Sequence, residues 1–321
     1  MKALWFNGKR LELREIKPPV PRKGEALVRV MFAGVCNTDL EIIKGYMKFT
    51  GVPGHEFVGI VEQGPDNWIG ETVTGEINLS CGKCPYCRTG LANHCPNRTV
   101  LGIQGKNGAF AEFITLPLKN IHRVPANVFD LDAVFVEPLA AALRILDQVQ
   151  IEKGDKVFVL GDGKLGQLIA RVVALKTNNL LLIGKHPEKL KLAARLGIKT
   201  ALISRIREVR PEHKPKIVIE ATGNPKGFEQ ALKLCRPGGI LVLKSTFCEL
   251  PRVNLSRIVV DEITVVGSRC GDFSKAISLL KDRGINLEGL ISGIYPLDEF
   301  HAAVQKSASR NSLKVVIKCL Q

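Results

Sequence analysis

The chain contains no uninterrupted apolar stretch of the roughly 20 residues that crossing a bilayer requires. Residues 1–14 alternate apolar and polar side chains, unlike the continuous apolar segment of a secretory leader. A cytoplasmic protein with no membrane partner is expected. Aromatic residues are scarce, at 6% of the chain, and lysine and arginine never gather into a dense run. Without stacking faces interleaved with basic side chains, nucleic acid is not an expected partner. No low-complexity tract or solenoid repeat is present. Carboxylates are outnumbered, 31 Asp and Glu against 46 Lys and Arg, and the resulting formal charge of +15 favours anionic ligands such as phosphates or carboxylates. The nine cysteines are an odd number, and four of them crowd into residues 81–95, which argues for metal binding and against a disulfide framework.

What is present divides into two textures. A length of 321 residues suggests two domains of roughly 150 residues each, and 45% hydrophobic content is enough for each to have a core. The first third has short Val, Ile and Phe runs punctuated by Gly and Pro, at 26–34, 57–63 and 109–116, and reads as β-rich. From about Asp132 the pattern changes to Ala/Leu helical spacing, followed by a short apolar run at 156–160. Similar runs at 180–183, 217–221 and 240–243 alternate with helical stretches such as 187–196 and 227–234. This is a βαβ series, hence a parallel sheet covered by helices. Beyond Val266 the pattern predicts helices at 273–283 and near 298–307, then a strand at 314–319.

Gly161-Asp162-Gly163-Lys164-Leu165-Gly166 follows the strand 157–160 and opens a helical stretch. In that setting the first glycine permits the tight turn and the second admits a pyrophosphate. The third lets helix and strand pack closely, so a dinucleotide is the expected ligand. About twenty residues on, where an acidic residue would hold the ribose 2′-hydroxyl of NAD, the strand ends in Gly184-Lys185-His186. Glycine leaves room there, and Lys185 with His186 can pair with a 2′-phosphate, which favours NADP. A solvated Lys185 and use of both cofactors is the alternative.

Cys81, Cys84, Cys87 and Cys95 have the spacing of a turn-rich loop wrapped around one tetrahedral metal. A closed four-cysteine site leaves no position for substrate, so its expected role is structural. Cys36, His55, Glu56 and Glu137 form a dispersed sulfur, nitrogen and oxygen set suited to a catalytic zinc. Spacing alone does not reveal this set, because each member also has an ordinary structural use: Cys36 as a core residue, His55 in a turn, Glu137 at a helix start.

At these residues the chain resembles the zinc-dependent medium-chain alcohol dehydrogenase superfamily, essentially from end to end. Gly34-Val-Cys36-Asn-Thr38-Asp39 resembles its first zinc-ligand motif, Gly54-His55-Glu56-Phe-Val-Gly59 its G-H-E signature, and the four-cysteine lobe its structural zinc loop. Glu137-Pro138-Leu139-Ala140 resembles the branch with polyol, glucose and threonine dehydrogenases. The resemblance implies an α/β protein of two domains: a β-rich GroES-like catalytic domain, 1–138 with 268–321, and a Rossmann-type doubly wound parallel sheet, 139–267. It implies two zinc ions per chain. One would be held by Cys36, His55, Glu137 and either Glu56 or water, the other by the four cysteines. It further implies that Lys314 reaches the cofactor phosphates, that Thr222 lies near the nicotinamide and that Arg269 faces the active site. A homodimer or homotetramer is implied as well.

The implied reaction transfers hydride between an alcohol, such as a polyol, sugar or secondary alcohol, and NAD(P). Zinc polarises the substrate oxygen and Thr38 takes the alcohol proton. Two departures stand out. Glu41 occupies the place of a histidine that passes the proton to solvent in many members, and the segment 59–73 is shorter than usual. Two other readings stay open: a zinc-independent NADPH-dependent reductase of activated double bonds, and a non-catalytic dinucleotide-binding protein on the same scaffold.

Overall fold

A computed structural model describes residues 1–206, 209–246 and 252–320. Packing divides the chain into two units, residues 1–137 with 273–321, and residues 138–272. Among the described residues, no helix is long and apolar enough to cross a membrane.

The first unit is organised around the strand Glu25–Val35. Along one edge it pairs antiparallel with Glu56–Gln63. On its other edge Phe113–Pro117 covers the first half and Lys314–Lys318 the second. Thr72–Gly75 and Ile121–Arg123 extend the sheet on one side and Ile291–Pro296 on the other, giving seven strands. The late strand Lys314–Lys318 takes a central place because Val315, Val316 and Ile317 are fully buried β-branched residues that suit a two-sided core. The helix Phe300–Ala308 immediately precedes it. The short segment at 59–73 is a hairpin: Gly59 and Ile60 register with Val73 and Thr72 across a single turn at Asp66–Trp68. A small three-stranded sheet, Asn78–Leu79, Thr99–Leu101 and Gly105–Lys106, closes the base of the cysteine lobe.

The second unit is a six-stranded, wholly parallel sheet in the order Lys199–Leu202, Leu180–Gly184, Val157–Leu160, Ile217–Glu220, Ile240–Leu243, Thr264–Gly267. The chain starts at the middle strand Val157–Leu160, winds to one edge, then returns and winds to the other. This places a crevice at the C-terminal ends of Val157–Leu160 and Ile217–Glu220. Both strands are buried along their whole length, as expected of a sheet covered on both faces. The two outermost strands escape a search for apolar runs. Lys199–Leu202 and Thr264–Gly267 are edge strands with partly exposed side chains and need no continuous apolar face. Residues 268–272 belong to this unit, five beyond the expected boundary. Lys244 Nζ ties them to it by donating to the carbonyls of Ala141 and Arg269 and to Ser268 Oγ.

The glycine turn is built by close approach. Gly161 has φ of +115°, and a Cβ on Gly166 would lie 1.9 Å from the Gly161 carbonyl oxygen. A Cβ on Gly163 would meet nothing within 4 Å. Gly166→Ala is therefore expected to cost about 2 kcal/mol or more, whereas Gly163→Ala should stay within about 0.5 kcal/mol of the parent, read by urea unfolding. Equal losses in the two variants would contradict this account of the turn.

Candidate active site

Cys36 follows the central strand and caps the helix Asn37–Ile43, while Glu56 opens the neighbouring strand and His55 immediately precedes it. Because Gly34 and Glu56 are cross-strand partners, the two motifs meet although twenty residues separate them. Ligand atoms of Cys36, His55 and Glu56 all lie within 4.8 Å of one another. Thr38 Oγ1 is 3.8 Å from Cys36 Sγ. Glu137, in the first turn of the helix Val136–Gln148, is not part of this convergence. It is still near enough for its charge to act on Lys314.

The sulfur, nitrogen and oxygen donors fit a zinc ion. His55 Nδ1 is buried without a hydrogen bond, although Asp39 Oδ1 is 3.3 Å away. Burial pulls the His55 pKa down, but Asp39 and then Cys36 override it and hold the imidazole well above its ordinary value. The pocket thus favours positive charge at this place.

Lys314 lies at the start of the central C-terminal strand, only 1% exposed, and its ammonium is ion-paired with the equally buried Glu56. Burial pushes its pKa down, yet Glu56, Cys36 and Glu137 raise it above the usual lysine value. Lys314, which the resemblance brings to the cofactor phosphates, is enclosed here and paired with Glu56. The pair has room only because residue 34 is glycine, where a Cβ would lie 2.5 Å from Glu56 Oε2 and 3.2 Å from Lys314 Cδ.

In the cysteine lobe, Cys84 Sγ lies 3.5 Å from that of Cys87 and 3.7 Å from that of Cys95, while Cys81 Sγ lies 3.5 Å from Cys95 and 4.0 Å from Cys87. A tetrahedron of sulfurs about 2.3 Å from a zinc has edges of about 3.8 Å, so the lobe fits the ion. The backbone N–H groups of Lys83 and Cys84 lower the Cys81 pKa to about 6, which prepares a thiolate.

In the second unit, Gly163 caps the helix Lys164–Ala174, whose first two residues are Lys164 and Leu165. A Cβ at Gly163 would meet nothing within 4 Å, so the backbone at this helix start is open to an approaching anion. Thr222 follows the end of the strand Ile217–Glu220, and its N–H and hydroxyl both donate to Glu220 Oε1 at 2.6 Å. Gly184 ends the strand Leu180–Gly184, Lys185 is exposed, and His186 caps the helix Pro187–Ala194. Arg269 lies in the 268–272 segment held by Lys244.

Three functional carboxylates went unassigned in the sequence reading. Asp39 is fully buried and accepts from the N–H groups of Cys36 and Gly54 besides facing His55. Its place in the Cys-Asn-Thr-Asp motif was its only signal. Glu220 orients Thr222, and Asp162 binds the end of a neighbouring strand. Glu41, in the place of the histidine, is about half-exposed and paired with Lys44 at 2.8 Å.

Comparison with known proteins agrees with this geometry. Residues 22–126 match the alcohol dehydrogenase GroES-like domain and residues 165–282 the zinc-binding dehydrogenase domain. The chain is 31% identical over 326 residues to a sorbitol dehydrogenase of Halalkalibacterium halodurans, covering 95% of this chain and 94% of that protein. Among solved structures, a protein of Sinorhizobium meliloti 1021 bound to NADP superposes with a TM-score of 0.91 at 28% identity, covering 99% of this chain and 98% of that one. An alcohol dehydrogenase of Escherichia coli CFT073 complexed with NADH gives the same TM-score and identity, with 99% of each chain covered. The chain belongs to the zinc-dependent medium-chain alcohol dehydrogenase superfamily. It is an oxidoreductase acting on an alcohol and carbonyl pair with a nicotinamide cofactor.

Two measurements probe the first unit. Lys314→Met leaves Glu56 buried without its partner and is expected to cost about 3–5 kcal/mol in urea unfolding, with Glu56→Gln/Lys314→Met losing less than the two single variants combined. Asp39→Ala should lower zinc affinity about 10–100-fold, measured by competition with a chromogenic chelator.

Proposed function

We propose that this enzyme interconverts a polyol or sugar alcohol and its ketone, using zinc held by Cys36, His55 and Glu56. The observation that carries this reading is the convergence of those three donors beside the Thr38 hydroxyl. The sorbitol dehydrogenase relative and Glu137, in the branch-like Glu-Pro-Leu-Ala motif, support a polyhydroxylated substrate. Glu137 is the further carboxylate available to the site, and Cys81, Cys84, Cys87 and Cys95 would hold a second, structural zinc.

When bound, zinc supplies a Lewis acid that eases removal of the alcohol proton. Asp39 holds the Cys36 backbone by a hydrogen bond and places its carboxylate 3.3 Å from the His55 ring. Lys314 offsets the charge of Glu56, so that the cluster of anions is tolerated in a dry pocket. Thr38 is the residue positioned to receive the alcohol proton at Oγ1 while handing on its own. With Glu41 at the solvent side of the same helix, a carboxylate stands where a histidine relay would be. The glycine turn and Thr222, oriented by Glu220, would align the dinucleotide.

For the cofactor, the NADP use expected from Lys185 is opposed by the buried carboxylate of Asp162. Homo-oligomerisation is supported by the edge strand Thr264–Gly267 and the strongly exposed Val259 and Val260 on the helix Leu255–Val260. A reducing cytoplasm suits a chain that depends on free thiols.

Metal analysis with a polyol panel tests the proposal. Two zinc ions per chain are expected, with dinucleotide reduction lost on chelation and lowered at least about 100-fold in Cys36→Ser or His55→Ala. Full turnover in a chain carrying a single zinc would overturn it.

A further inference from the structure

We propose that Asp162 makes this chain prefer NAD over NADP by occupying, from the glycine turn, the anion-binding end of the neighbouring strand. The inference rests on the reading that the glycine turn binds a nicotinamide dinucleotide.

The strand Leu180–Gly184 ends in a small nest of donors. The N–H groups of Lys185 and His186 both point at Asp162 Oδ2, at 2.8 and 2.6 Å, and His186 Nδ1 lies 3.0 Å from Oδ1. Consecutive backbone N–H groups of this kind form an anion site, and here the anion is the protein's own carboxylate. Asp162 is 5% exposed. It also explains Gly184. A Cβ there would lie 2.3 Å from Asp162 Oδ2, so glycine at the strand end makes room for Asp162 rather than for a phosphate.

The result is a carboxylate near the end of the second strand, where an NAD-binding site needs an acceptor for ribose hydroxyls. It arrives from a residue 22 positions earlier instead of from the strand itself. Three of its acceptor positions are taken, and an ionised carboxylate has about four, which leaves capacity for a hydroxyl donor. A 2′-phosphate has no proton to offer there and adds negative charge beside a buried negative charge.

The nearby cations do not reverse this. Burial lowers the pKa of Lys189 and Asp162 raises it, so that ammonium is within the field of the carboxylate and is offset by it. His186 is held at Asp162, and Lys185 is exposed to solvent, where its charge is screened. Removing the charge of Asp162 would free both the nest and Lys189 for a phosphate.

Equilibrium titration of the zinc-loaded full chain with NADH and with NADPH, followed by nicotinamide fluorescence, tests the proposal. The parent protein is expected to bind NADH at least about tenfold more tightly than NADPH. Asp162→Asn should narrow that ratio at least about fivefold, chiefly through tighter NADPH binding. Calorimetry with ADP-ribose and its 2′-phosphate on the unaltered protein should show the same preference, which keeps the test independent of how the variant folds. Equal or tighter binding of the 2′-phosphorylated ligands by the parent, or an unchanged ratio in a folded Asp162→Asn, would overturn the proposal. Failure of the parent to bind either dinucleotide would instead remove the cofactor reading on which it rests.

Discussion

The buried pair of Glu56 and Lys314 joins positions 258 residues apart and holds the catalytic unit to its form. Two charges taken out of water cost several kcal/mol each unless they compensate one another closely. Their meeting requires the strand Lys314–Lys318 to insert beside Glu25–Val35, with glycine at position 34 to leave space. The C-terminal segment is thus part of the wall of the pocket that gathers Cys36, His55 and Glu56. Lys314 also lies within the field of Glu137, so one ammonium serves more than one carboxylate. A divalent cation in the same pocket would supply the balance that one lysine cannot.

Buried carboxylates perform a common task across both units. Asp39 gathers the N–H groups of Cys36 and Gly54, Glu220 gathers Thr222 and Ser245, and Asp162 gathers Lys185 and His186. In each case a carboxylate, shielded from water and met by donors, fixes the adjacent backbone or hydroxyl. Charge-assisted hydrogen bonds are stronger than neutral ones in such surroundings and allow less movement. A chain with a large excess of basic residues therefore places a few well-partnered acids at the positions where orientation matters most.

Local patterns were the legible part. The apolar runs at 157–160, 180–183, 217–221 and 240–243 correspond to parallel strands, and the glycine motif opens the helix Lys164–Ala174 as its spacing suggested. The four cysteines also come together, because a span of fifteen residues with tight turns leaves them little alternative. Edge strands were harder to see, since Lys199–Leu202 and Thr264–Gly267 carry polar or exposed residues. Asp162 was visible within the glycine motif, but a sequence position says nothing of a side chain that reaches across to another strand.

By itself the sequence determined the buried strands and main helices and their kinds, because hydrophobic period, glycine placement and ligand spacing act over a few residues. It also marked Cys36, His55, Glu56 and Glu137 as possible ligands through a family resemblance. Tertiary structure alone decided that Lys314 pairs with Glu56, and that Asp162 closes the space left by Gly184. Both outcomes depend on which charges share a low-dielectric pocket, and that is settled by strand order and register over long separations in the chain.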